Sequence, residues 1–216
     1  MSENPQFRHL VIEGNIGSGK TSLTKMLSES WNTRTMLETF DENPFLPKFY
    51  EQPDRFAFPL ELSFLAERFH QKKSELSQID LFQPKLISDY LFDKSLIFAK
   101  INLPEDEFNL YNTLFQIIHE RLPKPDLVVF LHCLPERAME NIAKRGRSYE
   151  KAIKLEYLQE INNGYLSHFN GFRKNDALII NTSAMDFVNN EEDYFSIRAA
   201  INSHIVKQST SDDVNA

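Results

Sequence analysis

An α/β fold, a five-stranded parallel sheet with helices on both faces, is predicted by three observations. Five short apolar runs recur along the 216 residues. Segments with helical spacing of apolar positions separate them. The runs themselves are nearly continuous in apolar character rather than alternating, which is how strands covered on both faces read. Strand and helix signals in alternation point to a doubly wound parallel sheet.

The predicted strands are HLVIEG (9–14), RTMLET (34–39), KLISDY (85–90), DLVVFLH (126–132) and ALIIN (177–181). Between the second and third lies a long aromatic segment that reads as a helix from about Phe56, with Pro59 expected in its first turn, where a missing N–H matters little. Pro104 and the acids after it mark another helix start. Its apolar positions Phe108, Tyr111, Leu114, Phe115 and Ile118 follow helical spacing, and Leu110 and Ile117 widen the stripe. A stripe that broad suits a core helix or one shared with a second copy in a homodimer. The chain reads as one domain over 1–205, with a polar tail lacking regular structure over 206–216.

Composition narrows the partners. Hydrophobic residues make up 41%, enough for a core, and the net charge of −7 argues against nucleic-acid binding. No apolar run approaches the roughly 18–20 residues of a membrane span, and the polar start MSENPQFRH is not a signal peptide. A cytoplasmic protein without a membrane partner is expected. The single cysteine, Cys133, lies in an apolar run and reads as a core thiol.

Three of the six glycines fall within six positions, after the first strand. Gly14-Asn15-Ile16-Gly17-Ser18-Gly19-Lys20-Thr21, followed by Ser22, fits the phosphate-binding pattern G-x-x-x-x-G-K-[ST]. A strand precedes it and a helix-patterned run follows, the context the motif requires. Such a loop wraps backbone N–H groups around the phosphates of ATP and aims a helix N-terminus at them. Lys20 places a point charge near the β- and γ-phosphates, and the Thr21 hydroxyl is the expected Mg²⁺ ligand. The N-K-x-D motif that reads guanine is absent, which argues against a switch GTPase.

Two acids, Glu38 and Asp89, stand at the ends of the second and third strands, where ligands of open α/β sheets bind. An acid there can take a proton from an attacking hydroxyl or hold the metal. The stretch ETFDENPFLPKFYEQP carries Glu38, Asp41, Glu42 and Glu51 against Lys48 alone, so a neutral hydroxyl acceptor fits better than a phosphorylated one. Downstream, Lys144, Arg145 and Arg147 surround Gly146. That cluster reads either as a charged helix end or as a lid, over about 144–151, that closes on transferring phosphates.

These segments in order (GNIGSGKTS, Glu38 ahead of NPFLPKFYEQPDRFAF, LELSFLAERF, Asp89, RGRSYE and NTSAMDF) resemble the deoxyribonucleoside kinase family, most closely bacterial members acting on purine deoxynucleosides. The resemblance covers residues 9–188 and implies a P-loop kinase fold and ATP- and Mg²⁺-dependent 5′-phosphorylation, with deoxyadenosine favoured and deoxyguanosine next. It implies that Glu38 is the general base, that Tyr50 and Glu150 hold the 3′-OH, that Glu61 stands at the base-reading position with Arg68 beyond it, that Arg145 and Arg147 meet the phosphates, and that Asp186 and Phe187 lie near the donor base. Asp89 matches the acid of the D/E-R-S motif and joins Thr21 as a metal ligand. The sequence departs from the family twice. Tyr90 follows Asp89 where arginine is usual, with Lys94 as the nearest substitute cation. Glu61 replaces glutamine, which turns a donor-plus-acceptor group into an acceptor when ionised; it could still accept from the adenine N6 amine, but by hydrogen-bond count alone it suits guanine's N1–H and N2 amine better, which tilts towards deoxyguanosine where the resemblance favours deoxyadenosine. A carboxyl pKa raised by an aromatic pocket would restore a donor, and Arg68 is a possible partner for it. Phe40, Phe45, Phe49, Phe64 and Phe69 are candidates to stack on the base. The alternatives are a nucleoside monophosphate kinase and a non-catalytic P-loop nucleotide-binding module.

Overall fold

The computed structural model describes residues 5–39, 43–77, 85–171 and 177–213. Phe40, Asp41 and Glu42 therefore lie outside the described residues. Five strands, β1 (His9–Gly14), β2 (Arg34–Met36), β3 (Leu86–Ser88), β4 (Leu127–His132) and β5 (Ala177–Asn181), form one sheet in the order β2-β3-β1-β4-β5. All pairings are parallel, with Val11 opposite Ser88 on one side and Val128 on the other. The expected five-stranded fold is present, although β2 and β3 are shorter than the apolar runs that predict them.

The helices are α1 (Lys20–Trp31), α2 (Leu46–Glu51), α3 (Pro53–Ser77), α4 (Lys94–Asn102), α5 (Glu105–His119), α6 (Pro135–Arg145), α7 (Leu155–Phe169) and α8 (Glu191–Asp213), with a 3₁₀ turn at Ser148–Ala152. Alternate residues of β1 feed two cores, as strand geometry requires. Leu10 and Ile12 pack with Leu23, Leu27 and Trp31 of α1 and Ile197, Ile201 and Ile205 of α8. Val11 faces the other way, among Ile97 and Phe98 of α4 and Ile161, Tyr165 and Phe169 of α7. A third cluster, with Phe49, Leu60, Phe64, Leu65, Tyr111 and Phe115, joins α2, α3 and α5 beside the carboxyl ends of the strands.

Three local expectations are corrected. α3 starts at Pro53, six residues before Pro59, so Pro59 sits inside the helix. Its missing N–H leaves the Arg55 carbonyl without an intrahelical donor. Leu110 and Ile117 do not widen the buried stripe of α5, since they are 55% and 54% exposed. Residues 214–216 lie outside the described residues, but over 206–213 the stretch is not irregular, because α8 continues to Asp213. No glycine or proline interrupts it, and a helix nucleated by the Ile197–Ile201–Ile205 stripe propagates through polar residues at little further cost.

Candidate active site

The glycine loop leaves β1 at Gly14 and ends at the first residue of α1, Lys20. Gly17 and Gly19 hold φ of 78° and 89°, which L side chains rarely adopt. A Cβ on Gly17 would lie 2.5 Å from the Ala138 carbonyl oxygen of α6. The loop is pinned from two sides. Asn15 Nδ2 donates to the Leu158 carbonyl at 2.8 Å, and Asn141 Nδ2 of α6 donates to the Gly17 carbonyl at 2.8 Å. Lys20 Nζ donates to the Asn15 carbonyl at 2.9 Å. Burial, and then the nearby Lys94 ammonium, lower its pKa to about 8.

Glu38, two residues beyond β2, is held by two cations. Arg68 donates to Oε1 through Nε at 2.8 Å, with its second nitrogen at 2.7 Å, and Lys94 Nζ lies 2.6 Å from Oε2. Burial by itself would raise the Glu38 carboxyl; Lys94 and Arg68 outweigh it and bring the pKa down to about 2. Arg68 also donates to Ser95 Oγ at 2.7 Å and lies 4.8 Å from the Phe64 ring centre. Its partner is therefore Glu38 and not Glu61. Tyr90 is fully buried, and its hydroxyl donates to Gln71 Oε1 at 3.0 Å, so it faces away from the site. Lys94, the first residue of α4, reaches Glu38 beside Arg68.

Asp89 joins the two halves. One oxygen accepts from the Glu38 N–H at 2.7 Å and the other from the Thr21 hydroxyl at 2.5 Å. Burial raises its carboxyl. Thr21 and Asp89 thus offer two adjacent oxygens. Among the described residues, no group of three or more His, Cys, Asp or Glu could hold a metal ion. Two protein oxygens with the remainder from water and phosphate fit Mg²⁺, which keeps much of its hydration shell.

Glu61 of α3 lines the same cavity and is 1% exposed. Asn102 Nδ2 donates to its Oε1 at 2.6 Å, and burial raises its carboxyl to about 7. Gly146 ends α6 at φ 73° and turns the chain into the 3₁₀ turn that carries Glu150 back under Arg145. Arg145 grips Glu150 through Nε at 3.0 Å and a terminal nitrogen at 2.6 Å. Arg147 approaches the same carboxylate at 3.6 Å. The arginine expected on phosphate and the glutamate expected on the 3′-OH are therefore bound to each other here. Tyr50 stacks on Tyr149 with ring centres 6.5 Å apart, and burial raises its hydroxyl pKa, with Glu150 adding to the effect.

The cavity brings together Ile16, Gly17, Lys20, Thr21, Glu38, Tyr50, Glu61, Arg68, Asp89, Arg145, Arg147 and Glu150. Gly14, Asn15, Ser18, Gly19 and Ser22 are not among its lining residues, nor are Asp186 and Phe187. Phe187 is buried, with its ring where a Cβ on Gly19 would have to go, and so backs the loop from the core. The Asp186 carboxylate accepts from Asn189 Nδ2 at 3.0 Å. Of the candidate aromatics Phe49 and Phe64 line the cavity, while Phe45 and Phe69 do not. Sequence reasoning missed Tyr149, Tyr157, Phe98 and Asn102. It also missed Glu13 of β1, fully buried, which accepts from Tyr165 at 2.9 Å and from the N–H groups of Gly14 and Leu91. An acid inside an otherwise apolar strand, directly before the loop, was the available signal.

A family model for deoxynucleoside kinase matches residues 10–206. The chain belongs to the deoxynucleoside kinase family. This kinase is 30% identical over 201 residues to the deoxyguanosine kinase of Bacillus subtilis (strain 168), covering 91% of this chain and 97% of that one. It is 34% identical over 159 residues to the deoxyadenosine kinase of Dictyostelium discoideum, covering 73% of this chain and 64% of that one. Among solved structures, deoxyadenosine kinase from M. mycoides with the products dCMP and a flexible dCDP bound shares the fold. The TM-score is 0.77 at 22% identity, over 90% of this chain and 99% of that chain.

Proposed function

We propose that this kinase transfers the γ-phosphoryl group of ATP to the 5′-OH of a purine deoxynucleoside in deoxynucleotide salvage, with deoxyadenosine favoured and deoxyguanosine next. The observation that carries the reading is the position of Glu38. It sits between Arg68 and Lys94, and its own N–H is tied through Asp89 to Thr21 at the end of the phosphate loop.

In this reading the loop amides and Lys20 hold the triphosphate. Thr21 and Asp89 would hold Mg²⁺, which would supply charge neutralisation at the transferring phosphates. The 5′-oxygen lone pair forms a bond to the γ-phosphorus as the bond from that phosphorus to the β–γ bridging oxygen breaks, and ADP leaves. The 5′-OH proton passes to Glu38. A carboxylate with a pKa near 2 is a weak base, so this transfer comes late, after bond formation has made the hydroxyl acidic. A γ-phosphate that draws Lys94 toward itself removes one of the two cations on Glu38 and strengthens it as a base. Lys94 takes the place of the arginine that Tyr90 does not supply. Tyr50 and Glu150 bind the 3′-OH, which requires Arg145 to release Glu150 and turn to phosphate with Arg147 as the 144–151 lid closes. Phe49 and Phe64 flank the base, with Glu61 at its edge. Asp186 and Phe187 support the donor side from behind the loop.

The kinase domain spans 1–205, and a homodimer forms through α5. The exposed Leu110 and Ile117, seven residues apart on one helical face, support that reading. Among the described residues no helix is long and apolar enough to cross a membrane; a cytoplasmic location is part of the proposal. Glu38→Gln is expected to lower kcat by about 10²–10⁴-fold with ATP affinity nearly unchanged. Steady-state kinetics with ATP-binding calorimetry checks this, and wild-type turnover by the variant would remove Glu38 from the role of base.

A further inference from the structure

One contact in the acceptor pocket has no part in phosphoryl transfer. Asn102, the last residue of α4, donates through Nδ2 to Glu61 Oε1 at 2.6 Å. The other Glu61 oxygen, Oε2, is buried and has no hydrogen-bond partner among the described residues. Glu61 lines the cavity together with Phe64, Tyr157 and Glu38. A buried oxygen left without a partner is costly, and a ligand with a complementary polar edge removes that cost.

Counting donors and acceptors then separates the purines. Guanine presents two adjacent donors, N1–H and the N2 amine. It matches a carboxylate only when both oxygens are open. Adenine presents one amine donor beside a ring-nitrogen acceptor. With Oε1 engaged by Asn102, Glu61 meets the base through Oε2 alone. Ionised, Oε2 accepts from the adenine N6 amine; protonated, it donates to the neighbouring ring nitrogen. Guanine in the same place brings its second N–H toward Oε1, which is turned to Asn102, a residue outside the cavity lining, so that donor finds no acceptor facing it.

We infer that Asn102 is a positioning residue for base selection, holding Glu61 so that a single oxygen faces the nucleobase and deoxyadenosine is preferred over deoxyguanosine. This rests on the reading of the cavity as a nucleoside site.

The test compares kcat/KM for deoxyadenosine and deoxyguanosine in the wild type, Asn102→Leu and Asn102→Ala, each also in a Glu61→Gln background. Loss of the amide opens Oε1, so the deoxyguanosine-to-deoxyadenosine ratio is expected to rise about tenfold or more. The change falls on KM, with kcat for deoxyadenosine little altered. In the Glu61→Gln background the same substitutions leave the ratio where it was. An unchanged ratio in the soluble variant or variants, an equal shift in both backgrounds, or a matched loss of kcat on both nucleosides overturns the inference. If Asn102→Leu does not fold, Asn102→Ala carries the comparison. A wild type that binds ATP but phosphorylates no deoxynucleoside overturns the nucleoside-site reading itself, an outcome distinct from activity with an unmoved ratio.

Discussion

Glu38 and Glu61 lie in one cavity and are perturbed in opposite directions, because two cations in contact outweigh burial at Glu38, whereas burial prevails at Glu61. Glu38, with a folded pKa near 2, contributes stability that is present above about pH 4.5 and lost as the pH falls through 2. For Glu61 the sign reverses. Burial raises its pKa from 4.5 to about 7, so between those values the folded state keeps a proton that the unfolded chain has released. Raising the pH through that window removes stability. The stability of Glu61→Gln minus that of the wild type is therefore expected to grow from pH 5 to pH 8 by roughly 1–3 kcal/mol. Urea denaturation at the two pH values measures it, and a gap that shrinks contradicts the assignment. Neither shift was fully legible in the sequence. The glutamate at 61 stood out, and a raised pKa there follows from its aromatic surroundings. That Asn102, forty-one residues away in the chain, takes one of its oxygens is visible only after α3 and α4 pack.

At the scale of elements, the glycine loop and α6 form one mechanical unit. Asn141 and Ala138 of α6 touch Gly17 from one side, and the same helix ends in Arg145 and Gly146. If the proposed 144–151 lid moves, α6 connects that motion to the phosphate loop. Gly17→Ala places a Cβ against the Ala138 carbonyl oxygen and forces a left-handed φ on alanine. The expected result is a loss of roughly 1–3 kcal/mol in stability and at least about tenfold weaker ATP binding. Thermal melts and calorimetry check both, and wild-type affinity would show that the loop adjusts without α6. The strand–loop–helix unit was legible because its contacts are local and its glycine spacing is tied to phosphate geometry. The strands were legible because burial on both faces leaves a continuous apolar run. Pro59 was misplaced because the helix start is set by Pro53 and the acid after it, a signal as good as the one at Phe56. The role of Lys94 was only partly legible. Its spacing from Asp89 suggested a substitute cation, but that its ammonium lies against Glu38 is visible only once α4 packs beside the strand ends.

At the scale of the whole molecule, the donor and acceptor halves meet at the carboxyl ends of β1, β2 and β3, and the aromatic cluster of α2, α3 and α5 walls the acceptor side. The same α5 turns Leu110 and Ile117 outward. If those residues seal a dimer, Leu110→Glu with Ile117→Glu converts it to a monomer in light scattering without loss of helical circular dichroism; a wild type already monomeric at micromolar concentration excludes the dimer. Sequence patterning could name that face but not its exposure, because a core stripe and an interface stripe share the same spacing. The central claim, that the cavity phosphorylates a nucleoside hydroxyl, is tested most directly by offering the wild-type enzyme ATP and Mg²⁺ with each of the four deoxynucleosides and, separately, with deoxyadenosine 5′-monophosphate, and reading the phosphorylated product. The expected product is a 5′-monophosphate from deoxyadenosine, less from deoxyguanosine, and no diphosphate. Diphosphate formed from the monophosphate, or ATP bound with no nucleoside phosphorylated, would contradict the claim.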